Sequence, residues 1–188
     1  MLNVARNVLS ALIVLLVLAA CAPRTEPRVA TPAAPSELET AQSIFDQITA
    51  LHLRGLPNDA QMRVLAPLLT TDLRQGLEAA RTWQRSEIER MQREGSDDKP
   101  PFIEGDLFSS LFEGAQTARA VAARRDQDRV VVTLDRSYGQ GADQVRWQDN
   151  AVLKRVGEVW LLDDIEYAGS WAFQAGTSTL RNTLQARE

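Results

Sequence analysis

The hydrophobic period of this chain changes from helical to alternating at Thr117, and that change limits the folds open to it. Upstream, apolar residues recur at helical spacing; downstream they alternate. A helical stripe and a half-buried strand each need a second layer to cover them. Helices followed by consecutive strands therefore predict an α+β domain, with the helices covering the one apolar face of an antiparallel sheet. Ser36 and Glu39 form a capping-box pattern ahead of Leu38, Ala41, Ile44, Phe45, Ile48 and Leu51, and Gly55 and Pro57 stop this helix. Asn58 and Gln61 repeat the pattern before a shorter helix reaching Thr70, with Pro67 disturbing its last turn. A third helix, capped by Thr71 or Asp72, turns Leu73, Leu77, Ala80, Trp83, Ile88 and Met91 inward and ends in the Gly/Ser/Asp/Pro stretch 95–101.

Four strands follow Thr117. Ala118, Ala120 and Ala122 share one face of the first, and Val130, Val132 and Leu134 one face of the second. Val145, Trp147, Ala151 and Leu153 do so on the third, and Val159, Leu161, Asp163, Ile165 and Tyr167 on the last. The turns fall at 126–128, at 139–143 and at Gly157-Glu158, a two-residue hairpin with glycine first, as a type II′ turn prefers. Short turns make the strands a meander with one packed face. A short helix over 177–187 buries Leu180 and Leu184. The segment Phe102 to Gln116 fits neither period. It reads as a turn that lids the core or, alternatively, as a surface patch for a protein partner built on Phe102, Leu107, Phe108 and Phe112.

The N-terminus is of a different kind. Arg6 precedes an apolar run, Val8–Leu18, shorter than the roughly 20 residues a membrane-spanning helix needs. The run closes on Leu18-Ala19-Ala20-Cys21, which holds the only cysteine of the 188 residues. This stretch resembles a bacterial lipobox. The resemblance implies that residues 1–20 are a lipoprotein signal peptide, that a diacylglycerol is attached to Cys21, and that cleavage makes Cys21 the N-terminus. Several acyl chains would anchor the protein stably. Ala22, where aspartate would favour retention at the inner membrane, implies the outer membrane with the domain facing the periplasm. Residues 21–35 then form a tether rich in proline that spans up to roughly 40 Å. With Cys21 modified, no disulfide supports the domain at 36–188.

One of the 21 basic residues and none of the 25 acidic ones precede Cys21, so the remainder carries a net charge of −5. That balance argues against nucleic acid as a partner, and against electrostatic docking to anionic headgroups. One histidine, His52, cannot build a multi-histidine metal site, and it reads as a packed or rim residue. No metal and no cofactor is expected. Asp163, Asp164 and Glu166 are split across two faces by the alternation.

Asp163 is the candidate catalytic residue. Alternation places it between Leu161 and Ile165 on the inner face, where burial would raise its pKa and suit it to act as a base. Tyr138 and Trp147 would line the same interior. The competing expectation is a structural ion pair between Asp163 and Arg136 or Arg155, both on inward positions of other strands.

The helix-rich first half, the long hairpins and the stretch Gly157-Glu158-Val159-Trp160-Leu161-Leu162-Asp163-Asp164-Ile165-Glu166-Tyr167 resemble the nuclear transport factor 2-like fold, over roughly residues 36–186. The resemblance implies a cone, in which a curved sheet of four or more strands wraps a helix around a pocket. With the lipobox, the chain is similar to bacterial lipoproteins carrying a domain of unknown function. The expectation is a non-enzymatic, lipid-anchored domain that binds a protein of the cell envelope. The alternatives are an apolar ligand held in the cone by Tyr138, Trp147 and Asp163, or a cryptic enzyme with Asp163 as base.

Overall fold

Two capping boxes set where the first helices begin. In the computed structural model, which describes residues 36–169 and 179–185, the Ser36 N–H donates to Glu39 Oε2 (2.8 Å) and the Glu39 N–H donates to Ser36 Oγ (3.3 Å), opening α1 (Glu37–Ala50). Asn58 and Gln61 make the same reciprocal pair at 2.9 Å for α2 (Asp59–Leu65), and Pro67 sits in a 3-10 turn at Ala66–Leu68. α3 (Thr71–Glu94) is capped by Thr70, one residue earlier than expected, and ends on Gly95 at φ +64°. The signal stretch 1–20, Cys21 and the tether 21–35 lie outside the described residues.

Four antiparallel strands follow as a meander in the order β1 (Thr117–Asp126), β2 (Arg129–Tyr138), β3 (Val145–Val156), β4 (Val159–Tyr167). A last helix, α4, spans Leu180–Gln185. The fold is therefore α+β, with an open sheet. Val130, Val132, Leu134, Ala151, Leu153, Leu162 and Ile165 on the sheet pack with Ile44, Phe45 and Ile48 of α1, Leu73 and Leu77 of α3, and Leu180 and Leu184 of α4. The opposite face carries polar cross-links beside the buried pair Val131 and Val152. Thr133 bonds Asn150, Asn150 bonds Glu166, and Asp135 accepts from Arg119 and Gln148.

Two bulges modify the sheet. On β1, Ala120 pairs with Leu134 and Ala122 with Thr133, leaving Val121 extra. On β4, Leu162 pairs with Leu153 and Asp164 with Val152, leaving Asp163 extra. An extra residue breaks strict alternation. The expected inner set of β4 is thus corrected: Leu162, Ile165 and Tyr167 face the core, while Leu161 pairs with Lys154 on the other face and Val159 is 56 % exposed at the hairpin tip. Val145, at the start of β3, is also largely exposed.

Both edges of the open sheet are occupied. Along β4, the Thr70 N–H donates to the Leu162 carbonyl (2.9 Å), and Leu69 and Thr179 form isolated bridges with Leu162 and Glu166. Along β1 the partner is a side chain. Gln42 of α1 donates Nε2 to the Ala118 carbonyl and accepts the Ala120 N–H on Oε1, both at 2.9 Å. A carboxamide carries one acceptor and an N–H donor, as a peptide unit does, so Gln42 stands in for a fifth strand. Gln42→Ala is expected to destabilise the domain by about 1–2 kcal/mol in urea denaturation. It should also speed hydrogen exchange at the Ala120 amide; a wild-type rate at that amide would disprove the guarding role.

Candidate functional site

The polar groups of the interior gather under the segment that neither period explained. Leu107 and Phe108 are not on the surface: they are 1 % and 0 % exposed, whereas Phe102 and Phe112 are half-buried. The expected partner patch is corrected accordingly. Of the large hydrophobics in this segment only Ile103, beside Phe102, is strongly exposed, and Trp83 packs edge-on against the Phe102 ring at 5.7 Å. Two glycines make the path possible. Gly55 has φ +68°, and a side chain there would collide with the Phe102 carbonyl; Gly114 has φ +83°, and a Cβ would lie 2.6 Å from Asp106 Oδ2.

The inner face of the sheet ends in a row of polar side chains that hold this plug by its backbone. Arg136 on β2 donates Nη1 to the Phe108 carbonyl (2.7 Å) and stacks its guanidinium 4.9 Å over the Phe45 ring. Its Nε lies 3.3 Å from Asp149 Oδ2 on β3. Asp149, fully buried, accepts from the Ser110 N–H (3.2 Å), the Trp147 indole (3.1 Å) and the Ala168 N–H (3.1 Å). Tyr167 on β4 donates its hydroxyl to the Leu107 carbonyl at 2.7 Å, and burial pushes its phenol pKa up. Burial also lowers the Arg136 pKa, opposed by Asp149 and Asp106. Asp149 has its acceptors matched, but Arg136 Nε and Nη2 have no hydrogen-bond partner among the described residues.

The expected partners of Asp163 are corrected too. Arg136 belongs to Asp149, and the register puts it six residues along β2 from Val130, which sits opposite Leu153 and Leu162; that is about 20 Å away along the strand. Arg155 is exposed beyond the packed rows. The bulge turns Asp163 toward the start of α3 and α4 instead. Its Oδ1 accepts the Thr70 hydroxyl (2.8 Å) and its Oδ2 meets Arg181 Nη1 at 3.2 Å. Thr70 Oγ1 in turn accepts the Leu73 N–H, so one hydroxyl caps α3 and fastens β4 to it. A carboxylate beside a helix N-terminus is favourably placed. Next to it, Asp164 Oδ1 accepts the Ile165 and Arg181 amides, and burial raises its pKa.

Tyr138, Trp147 and Asp163 are therefore not brought together. Trp147 is committed to Asp149, Tyr138 is half-buried at the opposite end of the sheet from Asp163, and Asp163 belongs to the seam between α3, β4 and α4. His52, expected to be packed or at the rim, is exposed with φ +45° just past α1. It lines an open groove of about 360 Å³ with Asp46, Thr49, Gln116, Thr117 and Ala118. No group of three His, Cys, Asp or Glu residues among the described residues is arranged to hold a metal. Asp149 was the residue missed. Its signal was present, since two opposite charges at inward parity on adjacent strands, Arg136 and Asp149, can pair.

Comparison with known proteins finds no match for this chain among family models, curated proteins or solved structures.

Two outcomes are expected from this geometry. Arg136→Met and Asp149→Asn should each destabilise the domain by about 3–5 kcal/mol, because each leaves its partner buried and uncompensated, while the double variant should lose less than the sum. Additive losses in a denaturation cycle would show that the two side chains are not coupled. Asp163→Asn keeps the Thr70 bond and loses only the half-exposed Arg181 pair, so its loss should stay near about 1 kcal/mol. A loss several times larger would place Asp163 in a more demanding role than fastening.

Proposed function

We propose that this chain is a lipid-anchored lipoprotein of the bacterial cell envelope, held through acyl chains on Cys21. Its nuclear transport factor 2-like domain faces the periplasm and binds a protein partner rather than catalysing a reaction. The observation that carries the non-catalytic reading is the commitment of both Asp163 oxygens to structure, one to the cap of α3 and one to Arg181. A base needs a substrate within hydrogen-bond reach, and Asp163 is 4 % exposed with its oxygens turned to Thr70 and Arg181. The cone of that fold is supported by the two bulges, since bulges bend and twist the strands that carry them. An apolar ligand in the cone has less support, because Phe108 and Leu107 fill the space beneath the inner face with the chain's own side chains.

For the partner, the exterior remains. Ile103, 49 % exposed beside Phe102 and Trp83, was not among the residues of the expected patch but is the exposed apolar side chain next to it. Intact-mass analysis of protein extracted from membranes should show acyl mass on Cys21 and no residues before it. A photo-crosslinking residue at position 103 should give one discrete adduct in membranes that a probe at Gln140 does not. Mass without acyl chains would remove the anchor, and the same adducts from both positions, or none, would remove this surface.

A further inference from the structure

Two hairpin turns lie at the end of the domain where the chain enters it. Glu37, the first residue of α1, pairs with Arg125 beside the β1–β2 turn. From there α1 runs to the other end, where Asp46, Thr49 and Ala50 lie by Gln116, Thr117 and Ala118 at the start of β1. The register brings the β3–β4 turn to the entry end as well. Arg129 sits opposite Lys154, and Val156 lies two residues, about 7 Å, further along β3. The β3–β4 hairpin thus reaches beyond its neighbour. Its last pair before the turn, Val156 opposite Val159, is 48 % and 56 % exposed. Among the described residues, no other two of the exposed large apolar side chains are cross-strand partners. The charges at this end nearly cancel: Arg124, Arg129, Lys154 and Arg155 stand against Asp126, Asp128 and Glu158, and Arg125 is taken by Glu37.

We propose that the hairpin tip at 156–159 rests in the surface of the bilayer that holds this chain, so that the domain stands on it. The proposal rests on the lipid anchor at Cys21. The segment between that cysteine and Ser36, at up to roughly 40 Å, joins the membrane to the end of the domain that carries the tip. Tethering keeps the tip at a high effective concentration beside the lipid, so two valines suffice where they would not hold a free protein. Dipped among the upper ends of the acyl chains, their exposed area leaves water. Lys154 and Arg155 have long apolar stems that can lie along the tip while their charges stay with the phosphates. Glu158, at the apex, meets the headgroup layer, where the ammonium of phosphatidylethanolamine can pair with it. With charges nearly balanced the contact is apolar and persists in salt, unlike attraction to anionic headgroups. The same stance keeps Gly55, past the end of α1, and the Ile103 backbone beside it at the end away from the lipid.

The test uses protein extracted from bacterial membranes and reconstituted into vesicles of phosphatidylethanolamine and phosphatidylglycerol, with a genetically encoded dansyl side chain at position 158 or position 140. Gln140 lies in the β2–β3 turn, at the opposite end of the sheet. Lipids spin-labelled just below the headgroup should quench the probe at 158 about threefold more than the probe at 140, in high salt as in low. Val156→Ser combined with Val159→Ser should bring the two positions level, and both side chains are exposed enough to be replaced without disturbing the core. Intact mass on the same sample reads the anchor separately. Acyl mass without preferential quenching at 158 would sink the tip contact alone, whereas missing acyl mass would remove the anchor whatever the probes report. Equal quenching at both positions, quenching abolished by salt, or quenching that survives the serine pair would each overturn the proposal. A probe at 158 shielded from water equally in detergent and in vesicles, with no lipid quenching, would assign the tip to a second copy or another protein and overturn it too.

Discussion

The ion pair between Arg136 and Asp149 decides how one end of this domain is built. Taking two charges out of water costs several kcal/mol for each ion, and the interior returns that only where the remaining donors and acceptors are matched. The sheet alone cannot match them, because its own amides and carbonyls are engaged in the ladders. The plug can. Its turns leave the Leu107 and Phe108 carbonyls and the Ser110 amide pointing at the sheet, and these are the groups that Tyr167, Arg136 and Asp149 require. The dependence is mutual, since a loop buried in a core must also find partners for its backbone. Phe108 can then be wholly buried in a segment that has no regular structure of its own.

The other constraint is the open sheet. Four strands that do not close leave two rows of unpaired backbone groups, and each row is a template for unwanted pairing. The two edges are treated differently because different elements lie beside them. β4 runs next to the chain entering α3, so backbone pairs with backbone, and the bulged Asp163 reaches Thr70 and Arg181 to hold that seam. β1 runs next to a helix, whose backbone is already satisfied. Only a side chain with both an N–H and a carbonyl can serve there, and Gln42 is that side chain. The ion pair between Glu37 and Arg125 ties the first turn of the same helix to the same strand. Together they fix α1 along β1.

Much of this was legible from local pattern. Both capping boxes are four-residue events, and they appear where the sequence places them. The alternation of β2 carries through from Val130 to Arg136, and the Gly157 turn takes the positive φ its position demands. What escaped depends on long range. A bulge is decided by what the strand edge meets, so the residue pattern around Asp163 could not announce that its face would turn. Arg181, its real partner, lies in a different element. The Leu107-Phe108 pair reads the same in sequence whether it is a patch or a plug, and only the polar row on β2, β3 and β4 distinguishes the two. That row was readable in principle from Arg136 and Asp149 at inward parity.

The plug also fills the space beneath the inner face of the sheet with the chain's own side chains, Leu107 and Phe108 among them. The filling has its own cost, since a hydrophobic pair in place of Arg136 and Asp149 would avoid two desolvated ions. The guanidinium meets Asp149 through Nε at 3.3 Å and the Phe108 carbonyl through Nη1, and Nη2 has no hydrogen-bond partner among the described residues, whereas the seam at Asp163, built from similar groups, has each carboxylate oxygen matched.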